Sequence, residues 1–560
     1  MLQFNPIIAC FSAVTGSGAS FMSANGEASN FQDPETLALV QRACEMFQSC
    51  KSIIRNIKSQ QSNLPFELTN LALPTRDDAE LLKAQYFAAF EPVYRILHKN
   101  TFDAEYQHFW ADPPAATTSL RLKNLLVVAL GSSLCEQGDG QDIREMARQW
   151  IQYAQEWLSG PLKRDQVSIS GIQVYCLTIL ARKVFSIGQD VLWGSVGELM
   201  HRAMQMGLHR DPDYLPPMSV LDAEMRRRLW ATILELTVQS ALDCGMPPRI
   251  YLEEFDTRPP SNVFDEPVTE STGELKCHDD NTFTSCTMQR TLLKSLPARL
   301  EILRLVNGVR SELTYTKVLA LSSEITSACV AINDVVKRRQ WQAMDGVSRI
   351  LLDYLVRRFH LPLHIPFATI SQTNPMFYHS VKICVDTATA ITNAPVNRAY
   401  RSLMVSGQGL FEESFKVAAT AVGLELLVQV EAQYRDGTLA TNSQYVARLK
   451  ETLGSMLTLA EDRIRESAIG LKDHMFISFM LAQADAISHG GLVELQLAQK
   501  AKDSVEWCCD VLRHRAETVN MGDSAGTPLV MTGYEDDSLG FGLDFFSVGQ
   551  METLTEWDIM

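Results

Sequence analysis

From about Asp77 to Ala516, apolar residues recur three and four positions apart in block after block. Gly, Pro and Asn fall between the blocks, and there is little of the alternation that marks a half-buried strand. This pattern predicts an all-α fold, with helices near 78–90, 103–110, 120–134, 142–159, 168–183, 191–206, 220–243, 290–310, 317–340, 343–359, 376–393, 411–434, 443–466, 471–488 and 492–515. Residues 253–289 mix Pro, Asp, Glu, Ser and Thr without periodicity and read as a loop. Residues 1–76 read as a flexible, disordered lead, 77–516 as one large multi-helix body and 517–560 as a tail of different character.

The segment 191–243 carries the sharpest local signals. Leu192, Val196, Leu199, Ala203 and Met204 form one helical stripe that ends at Gly207, a residue able to take the left-handed conformation just past a helix end, with Leu208 placed to fold back on the helix. Pro212, Pro216 and Pro217 forbid continuation, and Ser219 followed by Asp222 resembles a capping box opening the next helix. In that helix Leu221, Met225, Leu229 and Ile233 share a stripe beside Trp230, Leu234 and Val238, so two sides are buried. Glu224 and Arg228, four apart, are expected on the remaining face as a weak pair of about 0.2–0.5 kcal/mol. Gly245 and Pro247 then begin an extended passage.

Between these helices, Gly207-Leu208-His209-Arg210-Asp211-Pro212 places an imidazole, a guanidinium and a carboxylate side by side. His-Arg-Asp also opens the catalytic loop of protein kinases, but that chemistry needs an Asn five residues after the Asp, and position 216 is Pro. Asp544-Phe545-Phe546 lacks the glycine of the magnesium-binding triplet, and no glycine-rich loop precedes a strand. Metalloprotease, hydrolase and P-loop signatures are missing as well. His360 and His364 are four apart, yet Pro362 between them is expected to break any helix that would set both on one face. No catalytic residue is assigned. The triplet reads instead as a helix corner, with His209 meeting the helix dipole or pairing with Asp211 or Asp213, and Arg210 capping carbonyls or bridging to Asp222 or Glu224.

At 560 residues and 46% hydrophobic, the chain can bury a large core. A net charge of −16 would repel a phosphate backbone unless a basic element were concentrated somewhere. The densest basic groups, Arg226-Arg227-Arg228, Lys337-Arg338-Arg339 and Arg357-Arg358, lie in helical patterns with acids nearby and read as solvated faces or ion-pair partners. Twelve cysteines, none in a C-x-x-C pair, suit a reducing compartment and support no metal site in this chain. The apolar amino terminus has no basic residue before Arg42, so it does not read as a signal peptide, and no apolar run approaches the roughly 20 residues a bilayer requires.

Several blocks together resemble one family. Met206 to Pro212, Glu224-Met225-Arg226-Arg227-Arg228-Leu229-Trp230, Gly245-Met246-Pro247, and Asp256 with Arg258-Pro259-Pro260-Ser261-Asn262 are similar, in order and spacing, to the regulatory domain of fungal-specific transcription factors. The upstream stretch from Tyr86-Phe87 to Pro92, with Ile96-Leu97-His98-Lys99 and Thr101-Phe102, resembles that domain's opening. Leu363-His364-Ile365-Pro366-Phe367 with Tyr378 and Ser380 resembles a later block, so the likeness spans about residues 80–395. The resemblance implies an all-α regulatory domain, a nuclear location and DNA contact through a binuclear zinc cluster of six cysteines. That cluster is absent before residue 80, so zinc would enter only through an upstream module, or DNA through a partner, with a homo- or heterodimer as one form. After Arg515 there is no Lys or Arg, while acids interleave with Phe541, Leu543, Phe545, Phe546, Leu554 and Trp557. This composition suits an acidic activation segment that meets a coactivator or the transcription machinery. Control of a biosynthetic gene cluster is the expected role; the alternative is a non-enzymatic helical scaffold.

Overall fold

The computed structural model describes residues 4–16, 33–62, 73–136, 141–161, 164–266, 268–269, 272–337, 346–392, 397–437, 443–467 and 470–522. Among these it contains 21 α-helices and no strand, as the periodicity predicts. In chain order they are α1 (Asn5–Thr15), α2 (Pro34–Ser62), α3 (Arg76–Ala89), α4 (Glu91–Tyr94), α5 (Lys99–Ala111), α6 (Thr118–Ser132), α7 (Gln141–Ser159), α8 (Ile169–Val184), α9 (Leu192–Gln205), α10 (Val220–Asp243), α11 (Thr287–Lys294) and α12 (Leu296–Asn307). The series continues with α13 (Tyr315–Lys337), α14 (Gly346–Arg357), α15 (His360–Ala368), α16 (Tyr378–Thr392), α17 (Arg398–Ser406), α18 (Gln408–Asp436), α19 (Ser443–Ser467), α20 (Leu471–His489) and α21 (Val493–Gly522).

The described residues divide into two compact units, one lying within 4–5 and 73–493, the other within 6–62 and 494–522. In the first, α6 and α8 are buried nearly all round, as their runs Leu125–Leu130 and Ile172–Ala181 require. α6 lies against α3, α7 and α8, and α8 against α9, α10 and α18. Gly131 sets the α6–α3 crossing: a Cβ there would fall 2.0 Å from the Leu82 carbonyl oxygen, so only glycine allows that approach. A second group joins α16, α18, α19 and α20, with α15 between α13 and α16.

Within residues 1–76, expected as a flexible lead, part of the described chain is helical and belongs to the second unit. Helices occupy Asn5–Thr15 and Pro34–Ser62, and they share a unit with α21. Val40, Ala43, Phe47, Cys50, Ile54 and Ile57 of α2 are buried at helical spacing, and the Cys50 thiol lies 3.9 Å from the Val505 carbonyl of α21. Asp33 caps α2, accepting from the Thr36 amide at 2.9 Å, with Pro34 at the first helical position. The stripe was present in the sequence, masked by a polar opposite face of Gln, Ser and Lys.

Two further differences have local causes. The helix expected over 290–310 is broken at Ser295, where Pro297 in the first turn of α12 has no amide to continue the ladder from α11. α15 forms in spite of Pro362, because that residue occupies the first turn, where amides lack intrahelical acceptors anyway. The loop expected over 253–289 is found among the described residues apart from a 3-10 turn at Leu252–Glu254 and its last three residues, which open α11 at Thr287. Phe541, Leu543, Phe545, Phe546, Leu554 and Trp557, and also Arg338 and Arg339, lie outside the described residues.

Candidate functional site

The segment from Gly207 to Pro212 folds as a helix corner. α9 ends in a Schellman motif: Gly207 has φ +75°, its amide donates to the Met204 carbonyl at 2.9 Å, and the Leu208 amide donates to Ala203 at 3.0 Å. Leu208 is fully buried, as its place one residue past the glycine requires. Arg226 of α10 donates to the Met206 carbonyl at 3.0 Å, satisfying another of the carbonyls left over at the α9 terminus. Ser219 caps α10, accepting from the Asp222 amide at 3.0 Å. Gly245, at φ +60°, repeats the Schellman closure at the far end of α10, with Met246 donating to Ala241 at 3.0 Å before Pro247 turns the chain away.

Asp211 is the hub of the corner and is fully buried. Its carboxylate takes a two-pronged contact from Arg227 at 2.8 and 3.0 Å, the Arg258 amide at 2.9 Å and the Asp213 amide at 3.2 Å. Burial alone would raise its pKa; the Arg227 bonds and the two amides more than reverse that, holding it well below the ordinary value. The strand-like passage 256–258 is strapped alongside. The Asp256 amide donates to the His209 carbonyl at 3.0 Å, the Asp211 amide to the Asp256 carboxylate at 2.7 Å, and Thr257 to the Leu208 carbonyl at 2.7 Å.

Two expectations for this corner are revised. His209 pairs with neither Asp211 nor Asp213; its ring packs near Trp230, with centroids 6.3 Å apart, while Phe255 meets the same indole edge-on at 5.6 Å. Arg210 bridges not to Asp222 or Glu224 but to Asp256, at 2.9 Å and in solvent. Both follow from the loop 253–266, which supplies partners from 46 residues away that local spacing does not show.

The same loop overturns the surface placement of Glu224 and Arg228. Both are fully buried beneath it. Arg228 lies 3.4 Å from Glu224 and 2.8 Å from Asp265, and Asp265 also receives Arg95 at 2.5 Å on both oxygens. Glu224 in turn accepts the Ser261 amide at 3.0 Å. His98 donates through its ring to the Asp265 carbonyl at 3.2 Å and contacts Thr101 at 2.9 Å. Burial opposes ionisation of Asp265, but Arg95 and Arg228 outweigh it and lower the pKa to about 2. Of the two readings of Arg358, a solvated face or an ion-pair partner, the second holds: it is buried, pairs with Asp243 and bonds Gln239 at 3.1 Å.

Arg95 and Asp265 escaped the sequence reading. Arg95 caps α4 in the left-handed conformation at φ 52°, an arrangement no nearby glycine announces, and Asp265 is one acid among many in a loop. The usable signal was indirect: an α10 apolar on two sides leaves little solvent for Glu224 and Arg228, so a third cover with an acid in it was to be expected.

Glu91 borders this lock. It accepts Tyr86 at 2.8 Å and the Leu97 amide at 2.9 Å, and burial pushes its pKa up to about 7 against the pull of Arg95. Between about 4.5 and 7 the folded carboxyl keeps a proton that the unfolded one releases. Its contribution is thus full below 4.5 and lost as pH rises through 7. Acidification from pH 7 to 5 gains about 2 kcal/mol through this group. Glu91→Gln is expected to forfeit that gain, falling behind the parent by this amount in urea unfolding at pH 5 relative to pH 7; equal shifts at both pH values would count against it.

His360 and His364 lie on one helix after all, in a buried chain. His360 and His364 both reach the Ser322 hydroxyl, at 3.3 and 2.8 Å, and His364 also bonds Ser380 at 2.9 Å. Burial lowers their pKa values to about 4 and about 3, so both are neutral at physiological pH. A shallow, narrow cleft between α15, α16 and α18 is lined by residues such as Thr369, Cys384 and Glu425, and by none from the corner. Among the described residues no three His, Cys, Asp or Glu groups are placed to hold a metal ion.

The blocks brought together here have relatives. Residues 84–311 match the model of the fungal specific transcription factor domain. Transcription factor asR3 of Sarocladium schorii is 37% identical over 570 residues, covering 92% of this chain and 66% of the relative. Transcription factor lepE of Aspergillus flavus is 32% identical, covering 92% and 65%. The aspyridones cluster regulator apdR of Emericella nidulans is 27% identical, covering 74% and 60%. The chain thus spans somewhat less than two thirds of the length of these relatives. Residues 84–311, which contain the corner, the buried ionic lock and Glu91, are a fungal specific transcription factor domain.

Proposed function

We propose that this chain is a nuclear regulator of transcription that controls a secondary-metabolite biosynthetic gene cluster and performs no catalysis. The observation that carries the reading is likeness along 92% of the chain to transcription factor asR3. The geometry agrees with it. His209, Arg210 and Asp211 are engaged in closing a corner, with Asp211 enclosed by two arginines and two amides. Chemistry on a substrate would need at least one of these groups free and facing a cleft.

DNA contact is assigned to a zinc cluster encoded upstream or to a DNA-binding partner, because a net charge of −16 supplies no counter-charge for a phosphate backbone. Zinc belongs to that module and not to this chain. Residues 517–560 act as the activation segment: their acids keep Phe541, Leu543, Phe545, Phe546, Leu554 and Trp557 solvated until a coactivator offers an apolar groove. Fused to an unrelated DNA-binding module, residues 517–560 are expected to drive a reporter well above a scrambled control of equal acidity. Output no higher than that control would remove the activation role.

A further inference from the structure

α2 and α21 of the second unit bring two thiols together. Cys50 and Cys509 are both fully buried, and the Cys50 Sγ lies 3.9 Å from the Val505 carbonyl oxygen. Sγ is only the second atom out from the backbone, so the two helices run close at this turn. In an α-helix the carbonyl of residue 505 faces the amide of residue 509, and the Cys509 side chain leans back over that same turn. The Cys509 thiol accordingly comes within hydrogen-bond reach of Cys50. Cys508, its neighbour in the chain, is turned about 100° around α21. A disulfide needs Cα atoms about 4.4–6.8 Å apart, a spacing found only where two backbones approach in this way.

We propose that Cys50 and Cys509 form a redox latch, a dithiol that a peroxide converts to a disulfide joining α2 to α21. Burial raises the Cys50 pKa, as does the neighbouring thiol, while Arg513, one turn beyond Cys509, opposes both. In the closed unit the pair is held as thiols, and reaction begins when α2 lifts from α21 and peroxide gains access. Cys50 then gives its proton to water, and its thiolate attacks hydrogen peroxide: an S–O bond forms, the O–O bond breaks, and the departing hydroxide is protonated to water. When α2 settles back, the Cys509 sulfur attacks the sulfenic sulfur of Cys50. An S–S bond forms, and the sulfenic oxygen leaves with the Cys509 proton as a second water. Two thiols and one peroxide thus become one disulfide and two waters, with sulfur oxidised and the peroxide oxygens reduced. Because α21 runs on to Gly522, the bond fastens the helix that leads into the acidic tail.

Exposure of the full reduced chain to hydrogen peroxide, followed by alkylation, trypsin and mass spectrometry of the chains that stay single on a non-reducing gel, tests this. Cleavage after Arg42, Lys51, Lys502 and Arg513 releases peptides 43–51 and 503–513, which peroxide is expected to join. The first peptide also holds Cys44 and the second Cys508. The join is expected to persist in Cys44→Ser and Cys508→Ser and to vanish in Cys50→Ser and Cys509→Ser. In the parent it slows amide hydrogen exchange in α2 and α21 about tenfold or more, and dithiothreitol restores the original rate. Separate peptides from the oxidised parent, a join that survives Cys50→Ser or Cys509→Ser or is lost in Cys508→Ser, or exchange unchanged by oxidation would each overturn the proposal.

Discussion

Asp265→Ala is expected to destabilise the first unit by about 3–5 kcal/mol, the range for breaking a buried pair by removing one partner. The cost comes from what is left behind. Arg95 and Arg228 both aim guanidinium groups at this carboxylate, at 2.5 and 2.8 Å, and both are buried. Glu224, at 3.4 Å, would remain for Arg228, and Glu91, at 4.0 Å, for Arg95, too distant to replace two direct bonds. The loop would also lose its side-chain anchor between Arg95 and Arg228, while keeping the bond from His98 to the carbonyl of residue 265. Urea unfolding followed by far-ultraviolet circular dichroism reads the effect as a lowered midpoint. A loss under about 1 kcal/mol, the value of a solvated pair, would show that the lock bears no load.

The second large effect separates Asp211 from its neighbours. Asp211→Ala is expected to cost about 3 kcal/mol, since Arg227 and the amides of Asp213 and Arg258 all lose a charged acceptor in a buried place. His209→Ala forfeits only the aromatic contact with Trp230, about 1 kcal/mol. Arg210→Ala, with its side chain half exposed against Asp256, costs 0–1 kcal/mol at most, roughly the value of a surface pair. The pH dependence has the sign of a lowered carboxyl: the stabilisation by Asp211 and Asp265 is complete above the unfolded value near 4 and is lost only as pH falls below it. A His209→Ala chain less stable than Asp211→Ala would reverse this order.

Periodicity was sufficient for the helices whose buried faces run the length of the element. α9, α10, α19 and α20 lie within a residue or two of their expected ends, because capping residues such as Gly207, Ser219 and Gly490 stand where the stripes stop. α4 and α17 were too short for a period to register, and α2 was hidden by its polar face. The corner was legible as a bend, since its closing bonds are local. Its partners were not. Asp256 and Arg258 are 45 and 47 residues from Asp211, and Asp265 is 170 from Arg95, so which loop acid becomes buried depends on how the loop is laid over α10. Charge in a loop reads as solvated until that cover is known.

The most direct measurement sets reporter output against unfolding free energy for His209→Ala, Asp211→Ala and Asp265→Ala, each in the full chain fused to an unrelated DNA-binding module. If the His-Arg-Asp corner is architecture in a transcription regulator, His209→Ala retains nearly parental output and stability, while the two aspartate variants lose both in step. A His209→Ala chain as stable as the parent yet silent would contradict it, because that imidazole would then be acting on something other than the fold.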